Sequence, residues 1–201
     1  MGRRLISELL RRGHTVRALV RPGSEAKLTS GCEVVTGDAL DRSSYVARVA
    51  PADSFVHLVG VTHPAPWKPD LFRTVDLGSA REAVAAARTA GIRHFVYVSV
   101  AQPAPVMRAY QAARAAAEAL IRESGLSATI LRPWYVLGPG HRWPVVFRPL
   151  YSLLDLIPAT RDGARRLGLV TIDQFTRALA RAVNEPPTGI RIVDVPEIRA
   201  S

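Results

Sequence analysis

Apolar runs of strand length alternate with amphipathic helical stretches along most of this chain, and that alternation restricts its fold more than any other feature. "VRALV", "EVV", "SFVHLVGV", "HFVYVSV" and "ATILR" read as strands, and "IRIVDV" as a final one. The second pair of long runs is apolar at nearly every position, which is the pattern of strands buried on both faces of a parallel sheet. Parallel neighbours cannot be joined by a tight turn and need a crossover, usually a helix. The stretches between the strands supply those helices. The spacing predicts helices over Gly2 to Leu10, Asp41 to Val49 with Asp41 as cap, Asp70 to Ala90, Met107 to Ser124, and through "TIDQFTRALARAV". Gly13, Gly91 and Gly125 close three of them. The expected fold is α/β, one domain with a parallel sheet spanning residues 1–201. The apolar stretch "WPVVFRPLYSLLDLIP" is expected to form a helix or a lid, within a small substrate-side extension over about residues 138–170.

Composition removes several alternatives. The 201 residues suffice for one sizeable core, and no apolar run reaches the ~18 residues of a membrane helix. The start of the chain lacks the apolar core of a signal peptide, so a cytoplasmic location is expected. Cys32, the one cysteine, can form no internal disulfide and reads as a structural thiol. The net charge of +10 is carried almost wholly by arginine, with Lys27 and Lys68 the only lysines. It is spread along the whole chain rather than gathered into a basic groove with interleaved aromatics, so no nucleic-acid partner is expected. The five histidines have no metal-ligand spacing, and no Gly-x-Ser-x-Gly elbow occurs. His57, inside an apolar run, reads as a core or strand-end residue.

The ordered set "GRRLISELLRRGHTVRALVRPG", "GDALD", "VHLVGVTH", "GIRHFVYVSV", "YQAARAAAEALIRESGLSATILRPWYVLGPG" and "TIDQFTRALARAV" resembles the extended and atypical short-chain dehydrogenase/reductase superfamily, in its NAD(P)H-binding, epimerase-like and NmrA-like branch. In that family a strand and a Gly-x-x-Gly-x-x-Gly turn precede the first helix, and the turn lets the dinucleotide pyrophosphate approach the helix N-terminus. Here only the last of those glycines matches, as Gly2. The resemblance thus implies a Rossmann-like, doubly wound parallel sheet, expected to be truncated at its N-terminal strand, with Met1 an internal methionine of a longer product.

The resemblance implies a set of site residues. Arg21, at the end of "ALVRPG", stands where the family discriminates NAD from NADP, and a basic residue there, with Arg17 assisting, implies NADP, NAD remaining possible. Asp38 matches the position facing the adenine edge, and Gly60 the glycine against which adenosine lies. Ser99, Tyr110 and Arg114 occupy the places of the family's Ser and Tyr-x-x-x-Lys, with arginine replacing lysine. Spacing of four puts Tyr110 and Arg114 on one helix face. Arginine keeps the positive field but does not relay protons near neutral pH. Pro133 and Val136 would flank the carboxamide, Trp134, Tyr135 and Trp143 would line a substrate cleft, and Asp173 would cap the late helix. No metal is implied. The function expected is that of an NAD(P)-binding oxidoreductase or epimerase/dehydratase-like enzyme on a small polar substrate, with a homodimer compatible. The other reading is a non-catalytic dinucleotide-binding sensor or accessory subunit.

Overall fold

The computed structural model describes residues 1–104, 106–138 and 167–201. Helix α1 (Gly2–Arg11) buries Leu5 and Leu9. It turns at Gly13, whose φ of +85° suits a residue without a side chain, into strand β1 (Arg17–Val20). Strand β2 (Glu33–Thr36) follows. Asp41 caps as expected by accepting the Ser43 N–H at 3.0 Å, but the helix it begins is two short 3₁₀ turns, 42–44 and 46–48. The pair Ser43-Ser44 explains the difference. Both hydroxyls hydrogen-bond Asp41, Ser43 to the carboxylate and Ser44 to the main-chain carbonyl, at 2.6 Å each, and so compete with helix propagation.

Strand β3 (Ser54–His57) is shorter than its apolar run. The long helix predicted next is realised in three joined parts: a first turn α2 (Pro69–Leu71), a π-helical segment (Phe72–Leu77), and α3 (Gly78–Thr89). Strand β4 (His94–Val98), helix α4 (Arg108–Glu123) and strand β5 (Ser127–Arg132) come in the expected order. Strands β6 (Tyr135–Leu137) and β7 (Leu169–Thr171) pair in parallel. Helix α5 (Ile172–Asn184), strand β8 (Ile190–Asp194) and a short α6 (Val195–Arg199) complete the chain. The cap of α5 is Thr171 rather than Asp173: Thr171 and Gln174 bond each other's backbone N–H in a capping box. Asp173 lies two residues after Thr171, in the first turn, and pairs instead with Arg4 at 2.6 Å.

The main sheet has the order β3-β4-β5-β8, all parallel. Strands β1 and β2 form a separate parallel pair. Helices cover both sides. One core cluster joins Leu5 and Leu9 of α1 to Val96, Leu131, Phe175 and Leu179, and the other packs α3 and α4 onto Phe95, Tyr97 and Ile130. Because every strand of the main sheet runs the same way, its carboxyl ends open on one side, and the loops leaving them bring residues from distant stretches together. Cys32 is half-buried, its thiol on the Thr29 carbonyl.

Phe95 is fully buried and stacks on Phe55 at 5.4 Å. Urea unfolding of Phe95→Ala should show a loss of about 3–5 kcal/mol, against about 1 kcal/mol for Thr171→Ala, which removes only a cap.

Candidate functional site

Four elements converge at the carboxyl side of the sheet: the ends of β3 and β4, the π-helical segment, and the first turns of α4. Helix α4 presents Tyr110 and Arg114 on one face, as spacing of four requires. The loop before it is fastened by Gln111, whose side-chain oxygen accepts the Ala104 N–H and whose amide donates to the Ala104 carbonyl, both at 2.9 Å. Tyr110 is thereby set edge-on against Phe72, with ring centroids 5.1 Å apart.

Arg114 is buried and points inward. It donates to Asp76 Oδ1 at 2.5 Å, to the Val98 carbonyl at 2.8 Å and to the Tyr97 hydroxyl at 3.3 Å. Its guanidinium lies 5.1 Å from the Tyr110 ring centroid and 5.7 Å from that of Tyr97. Nε makes no hydrogen bond among the described residues. Burial disfavours the charge, but Tyr110, Tyr97 and Asp76 together hold the group firmly protonated. Burial likewise pushes the Asp76 carboxyl up against the pull of Arg114. For Tyr110 burial also wins over Arg114 and raises the phenol above its ordinary range, so it keeps its proton at neutral pH. Gly60 lies against this pair: a methyl group there would run into the Arg114 guanidinium and Asp76 Oδ1. Within the chain itself, the bareness of Gly60 is thus filled from behind by Arg114.

Ser99 takes part in a different network. Its hydroxyl donates to Glu118 Oε1 at 2.6 Å. Glu118, 1% exposed, also accepts from Arg132 at 2.9 and 2.5 Å, Arg122 at 3.1 Å and Gln102 at 3.2 Å. Burial opposes its ionisation, but the bonds from Arg132 and Ser99 outweigh it and keep its carboxyl below the usual range. The structure therefore brings Tyr110 and Arg114 together while committing Ser99 to Glu118.

The remaining expected positions divide by location. Gly2, Arg21, Asp38 and Gly60 all line one trench that runs along β1 and β3. Arg21 is exposed. Asp38 folds its carboxylate onto the Leu40 N–H at 2.9 Å. Arg17 is at the opposite end of β1 from Arg21, with its guanidinium bonded to Glu33 at 2.9 Å and to the carbonyls of Val49 and Ala50; it fastens a strand start and is not brought to the trench mouth. Pro133 is buried, and its carbonyl accepts the Ala101 N–H. Trp134 and Val136 pack against the α1–α5 core cluster, and Tyr135 is half-buried in β6. Trp143 lies outside the described residues.

Asp76, Gln111 and Glu118 were not foreseen. Two of them carried a signal: Asp76 interrupts the apolar sequence Val75-Asp76-Leu77, and Glu118 stands four residues from both Arg114 and Arg122. A carboxylate on an apolar helix face requires a partner.

The model of a family described as NAD(P)H-binding matches residues 1–143. The chain belongs to this NAD(P)H-binding family. Over 99% of its length it is 29% identical to a ceramide reductase of Caulobacter vibrioides, covering 62% of that protein. It is 30% identical to a 3-diazoavenalumate denitrifying reductase of a Streptomyces species, covering 94% of this chain and 70% of that one. Its fold also matches a UDP-glucose 4-epimerase of Thermus thermophilus solved with NAD, at a TM-score of 0.69 and 17% identity, over 99% of this chain and 78% of the other. The chain spans less than two thirds of the length of some relatives, 62% and 56% in two of them. Among the described residues no helix is long and apolar enough to cross a membrane, and no group of His, Cys, Asp and Glu could hold a metal.

The buried charges predict two outcomes. Asp76→Ala leaves Arg114 buried without its counter-ion and should cost about 3–5 kcal/mol in urea unfolding. His57 stacks on Tyr97 at 5.8 Å, and burial pushes its pKa down to about 3. Below the ordinary histidine range the unfolded chain binds a proton that the native state refuses, so stability falls as pH drops from about 6.5. The loss between pH 7 and pH 5 should be about 2 kcal/mol larger in the wild type than in His57→Asn.

Proposed function

We propose that this family member is an NADP-preferring reductase of small polar carbonyl compounds, and the observation that carries the reading is the Tyr110 and Arg114 pair at the carboxyl ends of β3 and β4. A nicotinamide dinucleotide fits the residues present at three points. The Gly2 and Arg3 N–H groups lie too near the start of α1 to have helical acceptors, and the surroundings of Gly2 are open. The first turn holds no acidic residue to repel a phosphate. Arg21 stands exposed at the end of β1, where a guanidinium can pair with a 2′-phosphate. When bound, the reduced cofactor supplies hydride.

The protein's part is proton delivery. Tyr110 keeps its proton at neutral pH, so it donates to the substrate oxygen as the carbonyl carbon accepts hydride, and the product is an alcohol. The phenolate left behind is stabilised by the Arg114 charge, which lies 5.1 Å from the centroid of its ring. Arg114 acts through Tyr110 and is a positioning residue, itself anchored by Asp76. Ser99 supports the loop through Glu118.

The commitment of Ser99 and Arg114 to buried carboxylates favours a second reading, a dinucleotide-binding module without turnover. Tyr110→Phe separates the two. Under the first reading NADPH oxidation with a small ketone or aldehyde falls at least about a hundredfold, in the range of general-acid catalysis, while NADPH affinity by calorimetry stays unchanged. A rate that Tyr110→Phe leaves untouched removes the enzymatic reading. Arg21→Ala should lower the preference for NADPH over NADH about tenfold, from loss of one charge-assisted hydrogen bond.

A further inference from the structure

The stretches leaving the carboxyl ends of β3 and β4 both carry apolar side chains out into solvent. Trp67 is 78% exposed, Leu71 at the end of α2 45%, and Val106 before α4 53%. Contacts behind these side chains tie the two stretches together. Phe72, next to Leu71, packs edge-on against Tyr110, and the Val106 carbonyl accepts from the side chain of Gln111 on the same helix. Trp67 stands in the sequence Pro64-Ala65-Pro66-Trp67-Lys68-Pro69, whose three prolines fix their φ angles and stiffen the tip. The Lys68 N–H closes a turn onto the Ala65 carbonyl, and the Lys68 ammonium donates to the His63 carbonyl, both at 3.0 Å. The charged residues beside the apolar ones are Lys68, Asp70, Arg73 and Arg108. Asp70 pairs with Arg73, which leaves Lys68 and Arg108 as two cations that no carboxylate among the described residues neutralises.

We infer that these tips dock on an anionic lipid surface, with Trp67 entering the headgroup region and Lys68 and Arg108 meeting lipid phosphates. A side chain as exposed as Trp67 stands clear of its neighbours and lines no groove, so a bound peptide segment does not suit it. A second copy of the chain does not suit the patch either. A tryptophan offers at most about 250 Å², and with a leucine and a valine exposed to this degree the total stays well below the roughly 800 Å² per partner of a stable protein interface. A bilayer surface takes isolated side chains by their tips: the ring and the aliphatic groups enter the acyl boundary while the indole N–H stays among the headgroups. The sign of the lipid charge follows from the two cations at the patch and from the net charge of +10 over the chain. Each cation held near such a surface strengthens binding about fivefold. Docked in this way, the chain turns the carboxyl side of its main sheet towards the bilayer, with Tyr110 and Arg114 just behind the two tips.

Vesicle flotation tests this on the full chain without dinucleotide, so its result is separate from the cofactor reading. Vesicles of equal parts phosphatidylglycerol and phosphatidylcholine should carry the wild type, and vesicles of phosphatidylcholine alone should leave it behind. Trp67→Ala should weaken binding to the mixed vesicles about tenfold, the order expected for withdrawing one large apolar side chain, and Arg108→Ala about fivefold. Arg88→Ala removes the same charge from an exposed position in the last turn of α3, at the opposite end of the sheet, and should leave binding unchanged. Failure of the wild type to float with the mixed vesicles, equal flotation with neutral vesicles, binding that Trp67→Ala leaves intact, or equal losses in Arg88→Ala and Arg108→Ala would each overturn the inference. So would a dimer on size-exclusion chromatography that Trp67→Ala abolishes, which would assign the patch to a second copy of the chain.

Discussion

A strand in the interior of a sheet must find hydrogen-bond partners on two sides, and in a parallel sheet each partner has to be reached by a crossover. In this chain β4 and β5 meet that demand fully, and β3 and β1 meet it on one side. The arrangement of everything else follows. The crossovers place α3 and α4 on one face and α1 with α5 on the other. The common strand direction sends every loop that leaves a carboxyl end to the same side, which is where Gly2, Arg21, Gly60, Tyr110 and Arg114 are gathered from widely separated stretches.

Two buried carboxylates then fix how α4 sits on the sheet. Asp76 holds Arg114 from below, and Glu118, one turn further along the same helix face, is held by Arg132 of β5 and by Ser99. Buried ion pairs add little net stability over apolar packing, because desolvation offsets most of the attraction. Their effect is on register: a shift of α4 by one residue would leave both charges without partners. The direction in which Tyr110 faces is thus set by interactions beneath it.

Much of the fold was legible in the residues. The strand runs around Val96 and Ile130, the leucine stripe of α1 and the glycines that end the helices located the elements, because periodicity and main-chain freedom are local properties. What escaped depends on competition or on distance. The turns after Asp41 follow from serine hydroxyls that bond backwards, and the π-helical segment from Phe72 has no local signature. The site was half legible. Spacing put Tyr110 and Arg114 together, but that Arg114 turns inward depends on Asp76, thirty-eight residues away. Arg17 looked able to assist Arg21 because a sequence does not reveal that Glu33 and two carbonyls already hold it.

The contact between Gly60 and Arg114 reaches into how such a chain can change over generations. An alanine at position 60 meets the guanidinium and Asp76 Oδ1 at once, so it needs a side chain without the fork at position 114 and a shift of the carboxylate that the fork holds. The two sites therefore admit substitutions in one order and refuse them in the other. Among descendants of this sequence, the identity of a glycine at the end of one strand should record the history of an arginine on a helix more than fifty residues later.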